Sequence, residues 1–241
     1  MKTIWIIGWM SYESSIHYYE RINKQVNMLA GSLNCAKMII YNVNFEEIRK
    51  LMLENKWKDI WRELVRIAKI LENAGADYIA IATNTMHKLA DYIQQRINIP
   101  LIHIADCVAE ECIQKNIFNV WLLWTKYTMV EDFLVNRLKK NWLTVSTPVS
   151  EETINEIDRV IFDEIDRVIF DELCKWEIKE QSKKYFVDVI NGMIKEKNIE
   201  WIILWCTEIE MLVKQQDLKI PIFDTTQSHI DAIVDYSLER K

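Results

Sequence analysis

The chain has 241 residues, half of them hydrophobic, with a formal net charge of −6. That length buries ample core for one large α/β domain or two small ones, and the apolar content excludes a disordered chain. Without a cluster of Lys and Arg interleaved with aromatics, nucleic acid is not the expected partner and a small polar ligand is.

No apolar run approaches the ~20 residues of a membrane span, and the stretch MKTIWIIG is too short for a signal peptide, so no membrane partner is expected and the protein is expected in the cytoplasm. The five cysteines, Cys35, Cys107, Cys112, Cys174 and Cys206, include no C-x-x-C pair. Neither a disulfide framework nor a metal site is expected from them, and Cys35, Cys107, Cys112 and Cys174 read as core thiols.

In chain order, Thr3 to Gly8 reads as a buried strand, and Ser11 as the cap of an amphipathic helix with apolar spacing from Ser14 to Val26. Lys37 to Val43 is a strand, Glu46 to Leu53 a short helix, and Lys58 to Asn73 a long helix that Gly75 ends in a left-handed turn. The strand from Tyr78 leads to Thr83, a helix through Arg96 and the strand Leu101 to Ile104; a helix from Asp106 to Lys115 crosses into a second half. There the expected strands are Asn119 to Trp124, Leu143 to Ser146, Trp201 to Trp205 and Pro221 to Phe223. Lys126 to Lys140, Glu151 to Cys174 and Ile178 to Lys197 read as the helices between them, and Gln227 to Leu238 as a last helix that returns to the first half. Strands alternating with helices of this length imply right-handed βαβ units and parallel sheets, with ligand sites at the carboxyl ends of the strands.

The strongest site candidate is Trp201 to Glu210, WIILWCTEIE, in which an apolar run ends at Cys206 and Thr207 and Glu208 open a helix. Unpaired backbone N–H groups and the positive end of a helix dipole at such a junction favour a thiolate and a bound carboxylate. Tyr78 to His87, YIAIATNTMH, repeats the design with Thr83 where the thiol stands and Asn84 and Thr85 opening the helix. WIIGWMS at Trp5 to Ser11 matches WLLWTK at Trp121 to Lys126, and IPLIHI at Ile99 to Ile104 matches IPIF at Ile220 to Phe223. Two half-domains on one plan follow: residues 1–104 with 225–241, and 105–224. The fold class is α/β, with two pseudo-symmetric Rossmann-like lobes, each a small parallel sheet flanked by helices, and the active site expected in the cleft between them.

Blander readings stand beside these. Cys206 could be a core thiol, Thr83 a helix cap, His87 a helix-face or capping histidine and Lys175 a solvated surface lysine. A non-catalytic ligand-binding protein is the second class, separated from an enzyme by assay of Cys206→Ala.

With these motifs in place, the chain resembles the aspartate/glutamate racemase family, in particular its amino-acid racemase branch. The resemblance rests on IIGWMS at Ile6 to Ser11, ATNTMH at Ala82 to His87, LLWTKYTM at Leu122 to Met129, DELCKW at Asp171 to Trp176 and LWCTEIE at Leu204 to Glu210. It implies a cofactor-independent racemase, usually a homodimer, in which two thiols flank the Cα of an amino-acid substrate. It further implies that Met10, Asn84, Thr85, Thr125, Tyr127 and Thr207 line the pocket and that Lys175 holds a side-chain carboxylate. Hydroxyls of Ser11, Thr85, Thr125 and Thr207 are suited to the substrate carboxylate, and Glu208 is placed to assist Cys206. Where the common pattern has a first thiol this chain has Thr83, a far poorer base than a cysteine of pKa about 8.5. Catalysis is therefore expected to be strongly one-directional. A single-thiol site also resembles the arylmalonate-decarboxylase relatives, where one cysteine protonates a carbanion.

Two oddities remain. EIDRVIFD at Glu156 to Asp163 recurs unchanged at Glu164 to Asp171, and a repeat of eight advances a helix by about 80° beyond two turns, so an apolar stripe must drift around it. Four glycines coexist with ten tryptophans, where average usage is about 7% glycine. Trp5, Trp9, Trp121, Trp124, Trp142, Trp176, Trp201 and Trp205 fall where the resembled family tends to have glycine, while Trp57 and Trp61 are left open. A UGA codon is read as tryptophan in some bacterial codes and glycine in others, so all eight are expected to be glycine in the cell, and indoles written at 9, 124 and 205 would crowd the site.

Overall fold

The computed structural model describes residues 1–8, 12–123, 133–146, 163–197, 201–204 and 209–240. Contacts divide it into two compact units, Met1–Cys107 with Thr226–Lys241, and Val108–Thr225.

The first unit is built on four parallel strands, β1 (Ile4–Gly8), β2 (Met38–Asn42), β3 (Ile79–Ile81) and β4 (Leu101–Ile102), in the order β2-β1-β3-β4. Alternation along β1 sends Ile4 and Ile6 to one face and Trp5 and Ile7 to the other, and both faces are covered, which is why the strand is apolar throughout. On one face Tyr18, Ile22 and Val26 of α1 (Tyr12–Ala30) pack with Ile230, Ile233 and Val234 of the last helix, Thr225–Ser237. On the other, α2 (Phe45–Leu53) and α3 (Trp57–Asn73) bring Ile48, Ile60, Leu64, Ile67 and Leu71. Gly75, at φ +97°, ends α3 as its sequence predicts.

The helix expected after Thr83 differs in form. It opens as a 3-10 turn, Thr85–Leu89, and becomes α4 only over Ala90–Gln94. The tighter turn keeps Thr85, Met86, His87 and Leu89 all buried, a demand no single helical stripe meets. The helix α5 (Ile104–Gln114) begins earlier than Asp106.

The second unit repeats the order, β6-β5-β7-β8, with β5 (Asn119–Leu123), β6 (Thr144–Ser146), β7 (Ile202–Leu204) and β8 (Ile222–Asp224) all parallel. Its described helices include α6 (Phe133–Lys140), which buries Leu134 and Leu138, and α7 (Glu180–Lys197), which buries Phe186 and Ile190. The continuous helix expected to Cys174 is not seen over its described part: residues 163–167 are α-helical, Val168–Glu172 form a wider π turn and Leu173–Lys175 a 3-10 turn. The π turn lies in the second copy of the duplicated octapeptide and just past it. There Ile165, Val168, Ile169 and Leu173 are all buried. All but the last residue of the first copy lies outside the described residues. Among the described residues, no helix is long and apolar enough to cross a membrane.

The thiols also differ from expectation. Cys107 and Cys112 are buried, but Cys174 is half-buried and Cys35 is exposed, because it lies in the irregular segment between α1 and β2 rather than on a strand. Burial pushes the Cys112 thiol up to about 12, which leaves it protonated and inert.

Candidate active site

In an open parallel sheet the crevice forms where neighbouring strands send their connections to opposite faces, here at the carboxyl ends of β1 and β3 in one unit and of β5 and β7 in the other. Thr83 stands two residues beyond β3, and Cys206 stands two residues beyond β7. The β3 end is described in full. Met10, Ser11, Thr125, Tyr127, Cys206, Thr207 and Glu208, and with them Trp9, Trp124 and Trp205, lie outside the described residues.

Thr83, Asn84 and Thr85 are all buried. The backbone before them is fixed on two sides: the Ala82 N–H donates to the Ile7 carbonyl at 2.9 Å, and the Ala82 carbonyl accepts from Ser14 Oγ at 3.0 Å. Ser15 Oγ donates to Asn42 Oδ1 at 3.2 Å, beside the end of β1. There a β-carbon on Gly8 would stand 2.7 Å from Ser15 Oγ, so any larger residue must push that hydroxyl aside.

His87, on the turn after Thr83, holds that turn. Its Nε2 accepts the Ile104 N–H at 3.3 Å, so the proton is on Nδ1, which donates to the Thr83 carbonyl at 2.8 Å. The His87 N–H in turn donates to the Asn84 carbonyl at 3.0 Å. Its ring stands edge-on to His103, centroids 4.6 Å apart, and to His229, 5.7 Å apart. His229 donates from Nε2 to the Ile102 carbonyl at 3.0 Å and accepts from the Tyr18 hydroxyl on Nδ1 at 2.8 Å. Burial lowers its pKa to about 3, with the Ile102 hydrogen bond opposing the shift. His229 is therefore neutral near pH 7. His87 matches the capping reading, while His103, His229 and Tyr18 carry no sequence signal that marks them as its neighbours.

In the second unit Lys175 is mostly exposed, its Nζ 3.7 Å from Asp171 Oδ1. The segment that carries it is clamped by Glu172, which sequence reading missed. Glu172 accepts from Ser182 Oγ at 2.6 Å and from Arg167 Nη1 at 2.7 Å, with Lys179 Nζ at 3.4 Å. Burial pushes its pKa up, but the Ser182 and Arg167 hydrogen bonds and the charges of Arg167 and Lys179 outweigh that, so it is held below the usual carboxylate range. Among the described residues no three of His, Cys, Asp and Glu converge in a way that could hold a metal ion.

Paired parallel sheets of one strand order, each with a polar residue placed just past a central strand, define an α/β protein of two like halves. The chain belongs to the Asp/Glu/hydantoin racemase family, whose model matches residues 7–233. It is similar to a candidate Asp/Glu racemase from Yersinia pestis, at 39% identity and a TM-score of 0.87, over 99% of this chain and 100% of that one. It is also similar to an aspartate racemase homologue from Pyrococcus horikoshii OT3, at 33% identity and a TM-score of 0.80, over 99% and 100% of the two chains. A glutamate racemase from Francisella tularensis in complex with D-glutamate shares the fold, at 15% identity and a TM-score of 0.66, over 99% of this chain and 81% of that one.

Proposed function

We propose that this protein is a cofactor-independent amino-acid racemase acting on an aspartate- or glutamate-like substrate, with Cys206 as the principal acid/base and Thr83 in the position of the opposing thiol. The observation that carries this reading is one strand order repeated in two units of a racemase-family chain, with Thr83 just past β3; in sequence, Cys206 follows the last residue of β7 by two. Inversion at Cα requires one group to take a proton from one face and another to supply a proton to the opposite face, and a duplicated junction supplies one such group from each half. The names of the similar proteins favour an acidic amino acid as substrate.

The Cys206 thiolate removes the Cα proton, and the electron pair left on Cα delocalises into the carboxylate. Because that carbon is a very weak acid, donors around the carboxylate must do most of the stabilising; Ser11, Thr85, Thr125 and Thr207 hydroxyls and neighbouring backbone N–H groups serve this role. Met10, Asn84 and Tyr127 complete the pocket, Lys175 takes the side-chain carboxylate, and Glu208 sets the protonation of Cys206. Thr83 is a much weaker acid and base than a thiol near pH 7, which biases exchange to the Cys206 face.

Incubation with L- and D-aspartate or glutamate in deuterated water, without added cofactor, tests this: solvent deuterium appears at Cα with the parent protein and is lost in Cys206→Ala. Exchange with neither acid, together with carbon dioxide release from an arylmalonate, assigns the single thiol to decarboxylation instead. Binding without turnover by the parent protein leaves a ligand-binding protein.

A further inference from the structure

Helical segments across both units end in one closure. After α3 the Gly75 N–H bonds to the Glu72 carbonyl at 3.0 Å and the Ala76 N–H to the Leu71 carbonyl at 3.1 Å, with Gly75 left-handed at φ +97°. This pair of bonds satisfies the last carbonyls of a helix and needs a residue that tolerates positive φ, glycine best and asparagine next. The same pair recurs around Asn55 at φ 54°, Asn116 at φ 57° and, at the end of the last helix, Glu239 at φ 55°. It recurs after α6, where the Trp142 N–H bonds to Lys139 at 3.1 Å and Leu143 to Leu138 at 3.3 Å. It recurs again after the 3-10 turn, where Trp176 bonds to Leu173 at 3.1 Å and Glu177 to Glu172 at 3.0 Å. Trp142 sits at φ 68° and Trp176 at φ 60°.

Burial does not explain the indoles there. Trp142 is 85% exposed and Trp176 is 47% exposed, so the two rings bury little in exchange for a backbone that disfavours a bulky β-carbon. Trp57 and Trp61 behave otherwise. Both are α-helical in α3 and pack against the core, with the Lys88 ammonium 4.0 Å over the Trp57 ring, and with Arg96 5.4 Å over Trp61 and Tyr92 edge-on to it at 6.3 Å. These four tryptophans thus fall into two kinds: rings that do packing work, at 57 and 61, and rings at 142 and 176 that stand in a backbone conformation glycine adopts at least cost.

We propose that residues 142 and 176 are glycine in the protein its own cell makes, encoded by UGA and read there as glycine, and that residues 57 and 61 are true tryptophans encoded by UGG. One reassigned codon exchanges one residue type for one other wherever it occurs, which accounts for ten tryptophans beside four glycines in a single chain. Glycine at 176 also removes an indole from the position next to Lys175.

The codons and the fragment masses of peptides from the native protein decide it. UGA and glycine are expected at 142 and 176, with UGG and tryptophan at 57 and 61; UGG or a tryptophan mass at 142 or 176 overturns the proposal. Independently, the chain as written is compared with its Trp142→Gly/Trp176→Gly and Trp57→Gly/Trp61→Gly variants. The first pair raises the denaturation midpoint and the second lowers it, whereas an unchanged or lowered midpoint for the first pair overturns the backbone argument.

Discussion

The His87 Nδ1–H donates to the carbonyl of Thr83 at 2.8 Å while His87 Nε2 accepts from Ile104, so one neutral ring ties the end of β3 to the start of α5. Removing the ring in His87→Ala leaves a buried carbonyl and a buried N–H without these bonds, at about 1–3 kcal/mol for each. Urea denaturation should show a loss in that range or above. A variant within about 0.5 kcal/mol of the parent, the usual effect of a surface change, would deny the ring this role.

On the proposed mechanism, in which each group serves one face of the substrate, Thr83→Cys should raise the slower direction of racemisation more than the faster one, because a thiol is the better acid and base. Thr83→Ala should spare exchange from the Cys206 face. Initial rates in both directions measure this, and equal changes in the two would count against opposed roles.

His229 makes stability depend on pH. Its pKa falls from 6.5 to about 3 on folding, so between those values the unfolded chain binds the extra proton. The contribution is complete above pH 6.5 and is lost progressively as pH falls toward 3, amounting to a few kcal/mol at most. Denaturation midpoints recorded across that window should fall with pH in the parent and change less in His229→Gln. Equal slopes in the two proteins would locate the acid sensitivity elsewhere.

Gly8→Ala places a β-carbon 2.7 Å from Ser15 Oγ and 3.1 Å from both Asn42 Oδ1 and Ile40 Cγ2. The Ser15 and Asn42 side chains must shift, and their 3.2 Å hydrogen bond goes with them. A loss of about 1–3 kcal/mol is expected by thermal or chemical denaturation. Gly192 has open space around its Cβ position, so Gly192→Ala in α7 should instead be stabilising by up to about 1 kcal/mol.

The two parallel sheets, the four strands of each and the place of Thr83 just past β3 were legible in the residue pattern alone. These features are local: a strand covered on both faces must be an apolar run, an amphipathic helix must repeat its apolar residues every third or fourth place, and the alternation of the two dictates βαβ connection. Tertiary packing decided the rest. That His87, His103 and His229 share one buried cluster depends on β3 lying beside β4 and on the last helix returning to the first unit, which no window of sequence contains. The 3-10 turn after Thr83 exists because Thr85, Met86, His87 and Leu89 must all face inward at once, and the π turn ending in Glu172 buries Val168, Ile169 and Glu172 together. Propensity favours an α-helix at both places; burial on more sides than one helical stripe can reach overrides it.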